Sequence, residues 1–330
     1  MEKIHLPEQS KEKPLMNYQQ EVTTFLGEGD LKELVGKQSI EQTIHDAQKR
    51  EATLKESLTI KTSESKEVSY DKYKKAFSID GKKVTVGEIV ASRHFGTTIT
   101  LPENIEQTLE GRKLKEIYTK HLLQDHLTST LNKTLAEKLT EKEQKKDALK
   151  SKAYSEIAKR EGVKAEQLGV IAEYMMKGIG EMIAIDRPDL NIEILPANAH
   201  QDVEEKIDFT VVTKQKSRGV GVESKEGEYE EKTFGIQFTI NTAKEAFKVD
   251  QIAKAKERGL AVDDVLYVSM DKNMLSQAMY TWKETGKSIK GPWEHLPKAT
   301  KEKTITMLFQ QILSEEEQKS ILKSLDLLEK

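Results

Sequence analysis

The chain contains no cysteine in 330 residues. Disulfides, thiolate metal sites and cysteine nucleophiles are excluded with it, and the absence fits a reducing compartment. Long apolar runs are missing too. No stretch approaches the roughly 18–20 residues that span a bilayer, and the opening MEKIHLPEQSKEKP has no apolar core of the kind a secretory signal carries. The expectation is a cytoplasmic protein with no membrane partner. Nor is there an excess of charge of either sign: 53 basic residues face 56 acidic ones, for a formal net charge of -3. A whole-protein electrostatic footprint for nucleic acid is therefore absent, although net charge leaves a local basic groove open. Hydrophobic residues make up 36% of the chain, a low share that predicts some of it lies outside any core.

What is present is ordered along the chain. Residues 1–68 are polar, with sparse apolar positions such as Val22, Phe25, Leu26, Leu31 and Leu34, and read as a flexible tail or a partner-binding arm. Residues 69–102 read as a small β element: FSIDGKKVTV alternates around Asp80-Gly81, a hairpin signal. Arg93 and His94 follow, His94 being expected at the surface. From 103 to 150 the pattern is helical, with a stripe through Ile105, Leu109, Leu114, Ile117, Leu122, Leu127, Leu131, Leu135 and Leu139. Its charged end, EKEQKKDALKSK, reads as a solvated linker. His121 and Asp125, four residues apart, share a helical face.

Residues 151–272 carry the clearest organisation. Helices are predicted at about 151–161 and 165–185, the second striped by Leu168, Ile171, Met175, Ile179 and Ile183 and stopped at Arg187-Pro188. Strands are predicted at 191–197, 206–214 and 232–241, a helix at 243–258, and a buried strand at 264–270. The order is helix, three strands, helix, strand. Strand periodicity puts Ile207, Phe209 and Val211 on one face and Asp208 and Thr210 on the other. On the next strand Gln237 and Thr239 oppose Ile236, Phe238 and Ile240. If these strands are neighbours, Asp208, Gln237 and Thr239 meet on one side of the sheet, a place suited to a divalent cation.

Over residues 165–270 this arrangement resembles the PD-(D/E)XK nuclease superfamily. The resemblance implies an α/β fold with a restriction-endonuclease-like core, preceded here by the long helix and the small β element. It implies Mg²⁺-dependent phosphodiester hydrolysis, with carboxylates holding the metal and a lysine offsetting charge on the phosphate. Carried over residue by residue, Asp208 in EEKIDF takes the aspartate position. Gln237 in GIQFT takes the second acidic position and Thr239 the lysine position. Glu173 or Glu181 takes the helical glutamate. Gln251 corresponds to the glutamine of the RecB-like branch. Two departures stand out: Gln237 carries no charge, and Thr239 is no lysine. A lysine from the following helix, Lys244 or Lys248, is the replacement expected in an active enzyme. Asp202, Glu204 and Glu205 crowd the approach to Asp208, and His200 just before them is either a turn residue or a general base. Lys214, Lys216 and Arg218 make the loop after the second strand basic and suited to a phosphate backbone. The Gly-x-Gly of RGVGVE lacks the context of a nucleotide fingerprint.

Residues 273–330 are expected to pack on the core as helices, with Ser314 and Glu317 forming a capping box and Trp293 buried against the core. The functional expectation is a nuclease-like protein that cuts nucleic acid or binds it through a degenerate site. The alternative is an interaction protein that uses the long helix and the N-terminal segment, which would leave an apolar stripe exposed on 105–139. Oligomeric state is left open.

Overall fold

The computed structural model describes residues 17–27, 29–56, 58, 65–143, 148–162, 168–216, 229–240, 245–257 and 259–328. It is a mixed α/β structure with two four-stranded sheets. Among the described residues no helix is long and apolar enough to cross a membrane.

The N-terminal residues do not form a flexible tail over 18–56. Helices α1 (Tyr18–Phe25), α2 (Gly29–Val35) and α3 (Lys37–Glu56) occupy this stretch. Their apolar positions are few because they need only cover one stripe. Val22, Leu26, Leu31, Val35 and Ala47 pack against Leu123, Leu127, Leu131 and Leu135 of the long helix α6 (Leu109–Glu143). The Tyr18 hydroxyl donates to the Glu51 carboxylate inside this interface. The stripe from Leu127 to Leu139 is thereby buried, while Leu109 at the start of the long helix stays exposed.

The predicted helix over 103–150 is also broken. A single turn, α5 (Glu103–Glu106), precedes α6, and the chain folds back so tightly that a Cβ on Gly111 would stand 1.9 Å from the Ile105 carbonyl oxygen. The charged end of α6 leads into α7 (Ala148–Gly162), which packs on α6 with Tyr154 and Ile157 buried instead of running out as a solvated linker.

The first sheet has the order β3-β2-β1-β4, from β1 (Ser65–Asp71), β2 (Ala76–Ile79), β3 (Lys82–Val84) and β4 (Thr98–Thr100). β2 and β3 pair antiparallel around Asp80 and Gly81, both at positive φ, 51° and 73°, the backbone a two-residue hairpin turn demands. Helix α4 (Val86–Ala91) follows, capped reciprocally by Thr85 and Glu88. Val68, Phe77, Ile79, Ile89 and Ile99 form this core with Leu114 and Tyr118 of α6.

The second sheet is made by β5 (Ile192–Pro196), β6 (Phe209–Lys216), β7 (Tyr229–Thr239) and β8 (Asp264–Ser269), in the order β5-β6-β7-β8. The first two pairings are antiparallel and the last is parallel. Helix α8 (Leu168–Asp186) precedes β5, and α9 (Glu245–Glu257) joins β7 to β8. The predicted succession of helix, three strands, helix and strand is therefore present. One face packs on α8 and on α10 (Lys272–Glu284), α11 (Lys298–Phe309) and α12 (Glu315–Ser324), through Phe209, Val211, Ile236, Phe238, Leu266 and Val268. Trp293 is buried in this core, and Ser314 and Glu317 cap α12 reciprocally. The other face carries α9, where Ile252 meets Val265 and Val262.

Ile207 belongs to that second face, not to the face of Phe209 and Val211 as alternation predicts. The cause is local. A π-helical turn spans Gln201–Glu205, and Lys206 after it adopts φ 61°, a left-handed conformation that breaks the period of two. The regular strand begins only at Phe209.

Candidate functional site

Asp208 is thus a bend residue immediately before β6 rather than a strand residue. Its backbone still joins the ladder, since its N–H donates to the Ile236 carbonyl at 2.8 Å. Its carboxylate turns toward β7. Oδ2 accepts from the Phe238 N–H and, at 3.2 Å, from the Gln237 side-chain amide. Asp208 and Gln237 do meet, as the strand pairing predicts. In this arrangement Gln237 presents its NH₂ to Asp208, so it acts as a donor to the carboxylate and not as a second oxygen ligand beside it.

Helix α8 supplies two glutamates with different fates. Glu173 lines a cleft with Asp208, Thr239 and Lys248. Glu181, two turns further along, is only 2% exposed and is gripped by Arg93, whose two terminal nitrogens donate to its two oxygens at 2.7 and 2.9 Å. His94 Nε2 lies 2.7 Å from the same carboxylate. Of the two predicted helical glutamates, Glu173 joins Asp208 and Glu181 does not. His94, expected at the surface, is buried, with its ring stacked on Tyr174 at 5.8 Å.

Sequence reasoning did not find this ion network. Arg93 Nε also donates to Asp125 at 2.8 Å, Lys177 reaches Asp125 at 3.2 Å, and His121 Nδ1 stands 3.5 Å from Arg93. The partners are far apart in the chain, and the only visible hint was the one-turn spacing of His121 and Asp125. Burial alone would raise Glu181, but Arg93, His94 and Lys177 override it and hold the carboxyl well below its ordinary range. Asp125 is depressed in the same way, burial being outweighed by Arg93 and Lys177. Burial pushes His94 down and His121 down to about 4, which keeps both neutral near pH 7.

Asp208 is shifted in the opposite direction. Burial raises it well above the usual carboxylate range, and Glu173 and Asp202 raise it further. The Phe238 amide and Lys248 offset only part of this. Carboxylates converging without a matching cation favour the protonated acid. Lys248 stands at the edge of the group, with Nζ 3.4 Å from the Phe238 carbonyl. Gln251 lies on α9, three residues beyond it.

The remaining predicted residues do not converge on Asp208. Lys214 is exposed and pairs with Glu231 at 3.4 Å, and six strand residues place it about 20 Å along β6 from Asp208. Lys216 ends β6 still further away. Arg218, the RGVGVE loop and Lys244 lie outside the described residues. Glu205 is buried and accepts from the Ala261 N–H at 3.3 Å, so it braces the turn before Asp208. Asp202 lines a second cleft beside Asp208, together with Glu173 and Lys177.

Among the described residues no three carboxylate or imidazole groups are gathered as a ready-made metal site. A magnesium site does not need three, because Mg²⁺ is usually held by one or two carboxylates with the substrate phosphate and water completing the shell. Glu173 and Asp208, which line one cleft, meet that smaller requirement. In comparisons with family models, with curated proteins and with solved structures, nothing matches this chain.

Proposed function

We propose that this protein is a metal-dependent nuclease of PD-(D/E)XK type in which the lysine comes from the helix after the third strand. The observation that carries the reading is the shared cleft of Glu173, Asp208, Thr239 and Lys248. A helical glutamate, an aspartate just before β6 and an ammonium group from α9 share this cleft, which supports the reading. The sheet supports the same reading, with two antiparallel pairings followed by a parallel one. Gln237 and Thr239 occupy the positions that lack the usual side chains.

Each residue has a distinct role in this reading. Glu173 and Asp208 would hold Mg²⁺, which when bound supplies Lewis-acid polarisation of the phosphodiester. The Phe238 N–H and the Gln237 amide orient the Asp208 carboxylate through Oδ2. Lys248, anchored to the Phe238 carbonyl, offsets negative charge developing on the phosphate. Preorganised groups of this kind act by being in place before charge appears.

A second reading keeps the fold and drops the chemistry, and one observation favours it. Gln237 puts a neutral amide, donating to Asp208 Oδ2, where the family carries a second acidic side chain, so the site has one carboxylate fewer than a full catalytic set. The interaction-protein reading has lost most of its sign, since the stripe from Leu127 to Leu139 is in one core with α1–α3 and only Leu109 is left largely exposed.

The deciding experiment is cleavage of labelled DNA and RNA, single- and double-stranded, with Mg²⁺ or Mn²⁺. Wild type is expected to cut, and Asp208→Ala and Lys248→Met to lose at least about a hundredfold, the usual scale for removing one electrostatic group from such a site. Activity untouched by both substitutions would reject the assignment. Metal-dependent binding without cleavage would favour the degenerate reading.

A further inference from the structure

We propose that the substrate of this site is a single nucleic-acid strand, threaded past Asp208 between α6 and α9, and that a base-paired duplex is excluded. The inference rests on the nuclease reading and goes on to name the class of substrate. Two open cavities of about 250 Å³ each meet at the candidate site, and the residues common to both walls are Glu173 and Asp208. The carboxylate pair therefore stands between two chambers rather than at the bottom of one. On the first side the wall is built by Asp125, Thr128 and Asn132 of α6, by Lys177 of α8, and by Arg93 and Asp202. On the second side it is built by Phe238, Thr239 and Lys248.

Each chamber has a lysine in its wall, Lys177 with Arg93 in the first and Lys248 in the second. Lys177 follows Glu173 by one helical turn, about 6 Å along the axis. It is 12% exposed and bound to Asp125 at 3.2 Å and Glu181 at 3.8 Å. An ammonium has three donors, so one remains for a phosphate oxygen in the chamber. Lys248 is the counterpart on the other side. A cation before and a cation after the carboxylates matches successive phosphates of one backbone. A chamber of this size lies below the range of about 300–1,000 Å³ typical of small-ligand pockets. Its volume is closer to that of one nucleotide unit than to that of a base pair with both its backbones. Phe247, the residue before Lys248 on α9, is 60% exposed and lies outside both chamber walls, and an exposed ring there offers stacking to a base of the strand beyond the second chamber, which only an unpaired strand presents.

The test uses the full chain with Mn²⁺ or Mg²⁺ and labelled substrates in three forms: single strand, blunt duplex, and duplex with a single-stranded tail. Each is made in DNA and in RNA, so the two backbones are told apart. Single strands and tails are expected to be cut, and blunt duplex at least about tenfold more slowly. Phe247→Ala is exposed and should fold normally. It should raise KM for the single strand about tenfold, the lower range of one stacked base, with kcat little changed. Lys177→Met should raise KM as well and make it less dependent on salt concentration, as loss of one phosphate contact does, which loss of the Asp125 contact alone would not predict. Internal cutting of blunt duplex at the single-strand rate overturns the proposal. If no form is cut by wild type, the nuclease reading fails on its own, and strand choice is then read from fluorescence anisotropy in Ca²⁺. Tighter binding of the single strand supports threading, while equal binding of duplex, or no binding, overturns it.

Discussion

Arg93 and Glu181, 88 residues apart in the chain, form a two-pronged ion pair buried where α8 meets the turn after α4. Arg93 is raised above even its ordinary range: burial opposes its charge, but Asp125 and Glu181 more than compensate. Removing one partner leaves the other as an uncompensated buried charge. Arg93→Ala and Glu181→Ala are each expected to cost about 3–5 kcal/mol in urea unfolding, whereas the double replacement Arg93→Met with Glu181→Met recovers most of the loss. A double-variant cost equal to the sum of the two single costs would show that the pair is not coupled.

Acid should weaken the fold in two stages. His121 falls from 6.5 to about 4 on folding. Between those values the unfolded chain binds more protons, so stability drops as the pH falls through this window. His94 acts with the same sign. Because His121 keeps part of its surface in solvent, its share is at most about 3 kcal/mol. Glu181 and Asp125 are depressed, so their contribution, present above the unfolded carboxylate values, is lost on further acidification. Urea midpoints measured from pH 7 to about pH 2 check this, and His121→Gln should flatten the upper part of the curve.

Asp208 should behave in the contrary sense. Its folded-state value is raised, so its ionisation works against folding as the pH rises above the unfolded value of 3.8. Asp208→Asn should therefore raise the thermal midpoint at pH 7 without metal, by the equivalent of about 1–2 kcal/mol, as when strained functional groups are neutralised. Millimolar Mg²⁺ should stabilise wild type and leave the variant unchanged. A destabilised variant would mean that the carboxylate is structural.

Gly87 fits against α8 with no room to spare. A Cβ there would stand 2.5 Å from the Met182 carbonyl and 2.8 Å from the Asp186 carboxylate, which itself accepts from the Gly87 N–H at 2.9 Å. The nearest atom is backbone, so relief requires α4 to move. Gly87→Ala is expected to cost about 1–3 kcal/mol, the usual range for overpacking, read as a lower melting temperature. Gly169→Ala, with nothing near its would-be Cβ, serves as the control.

The elements of residues 168–328 were legible because each is local. Stripes, capping residues and breakers such as Arg187-Pro188 act within a few positions, and the Ser314–Glu317 box forms as read. The N-terminal segment was misread because its apolar content was weighed alone. Val22, Leu26 and Leu31 need no core of their own when Leu127 and Leu131 complete it. Asp208 was identified but not its bend, since a left-handed Lys206 leaves no periodic trace. Asp208 and Gln237 could be paired from strand alternation alone. Choosing Glu173 over Glu181 required knowing that Arg93 and His94 had already claimed the latter.

The buried guanidinium also bears on modularity. Arg93 sits just after α4, beside the small sheet, yet its acidic partners belong to the long helix and to α8. A fragment beginning at residue 103 would keep Glu181 and Asp125 while discarding the charge that makes their burial tolerable. The β element is thus a folding cofactor for the second sheet, supplied in cis, and the chain cannot be cut between them without disarming the helix that carries Glu173.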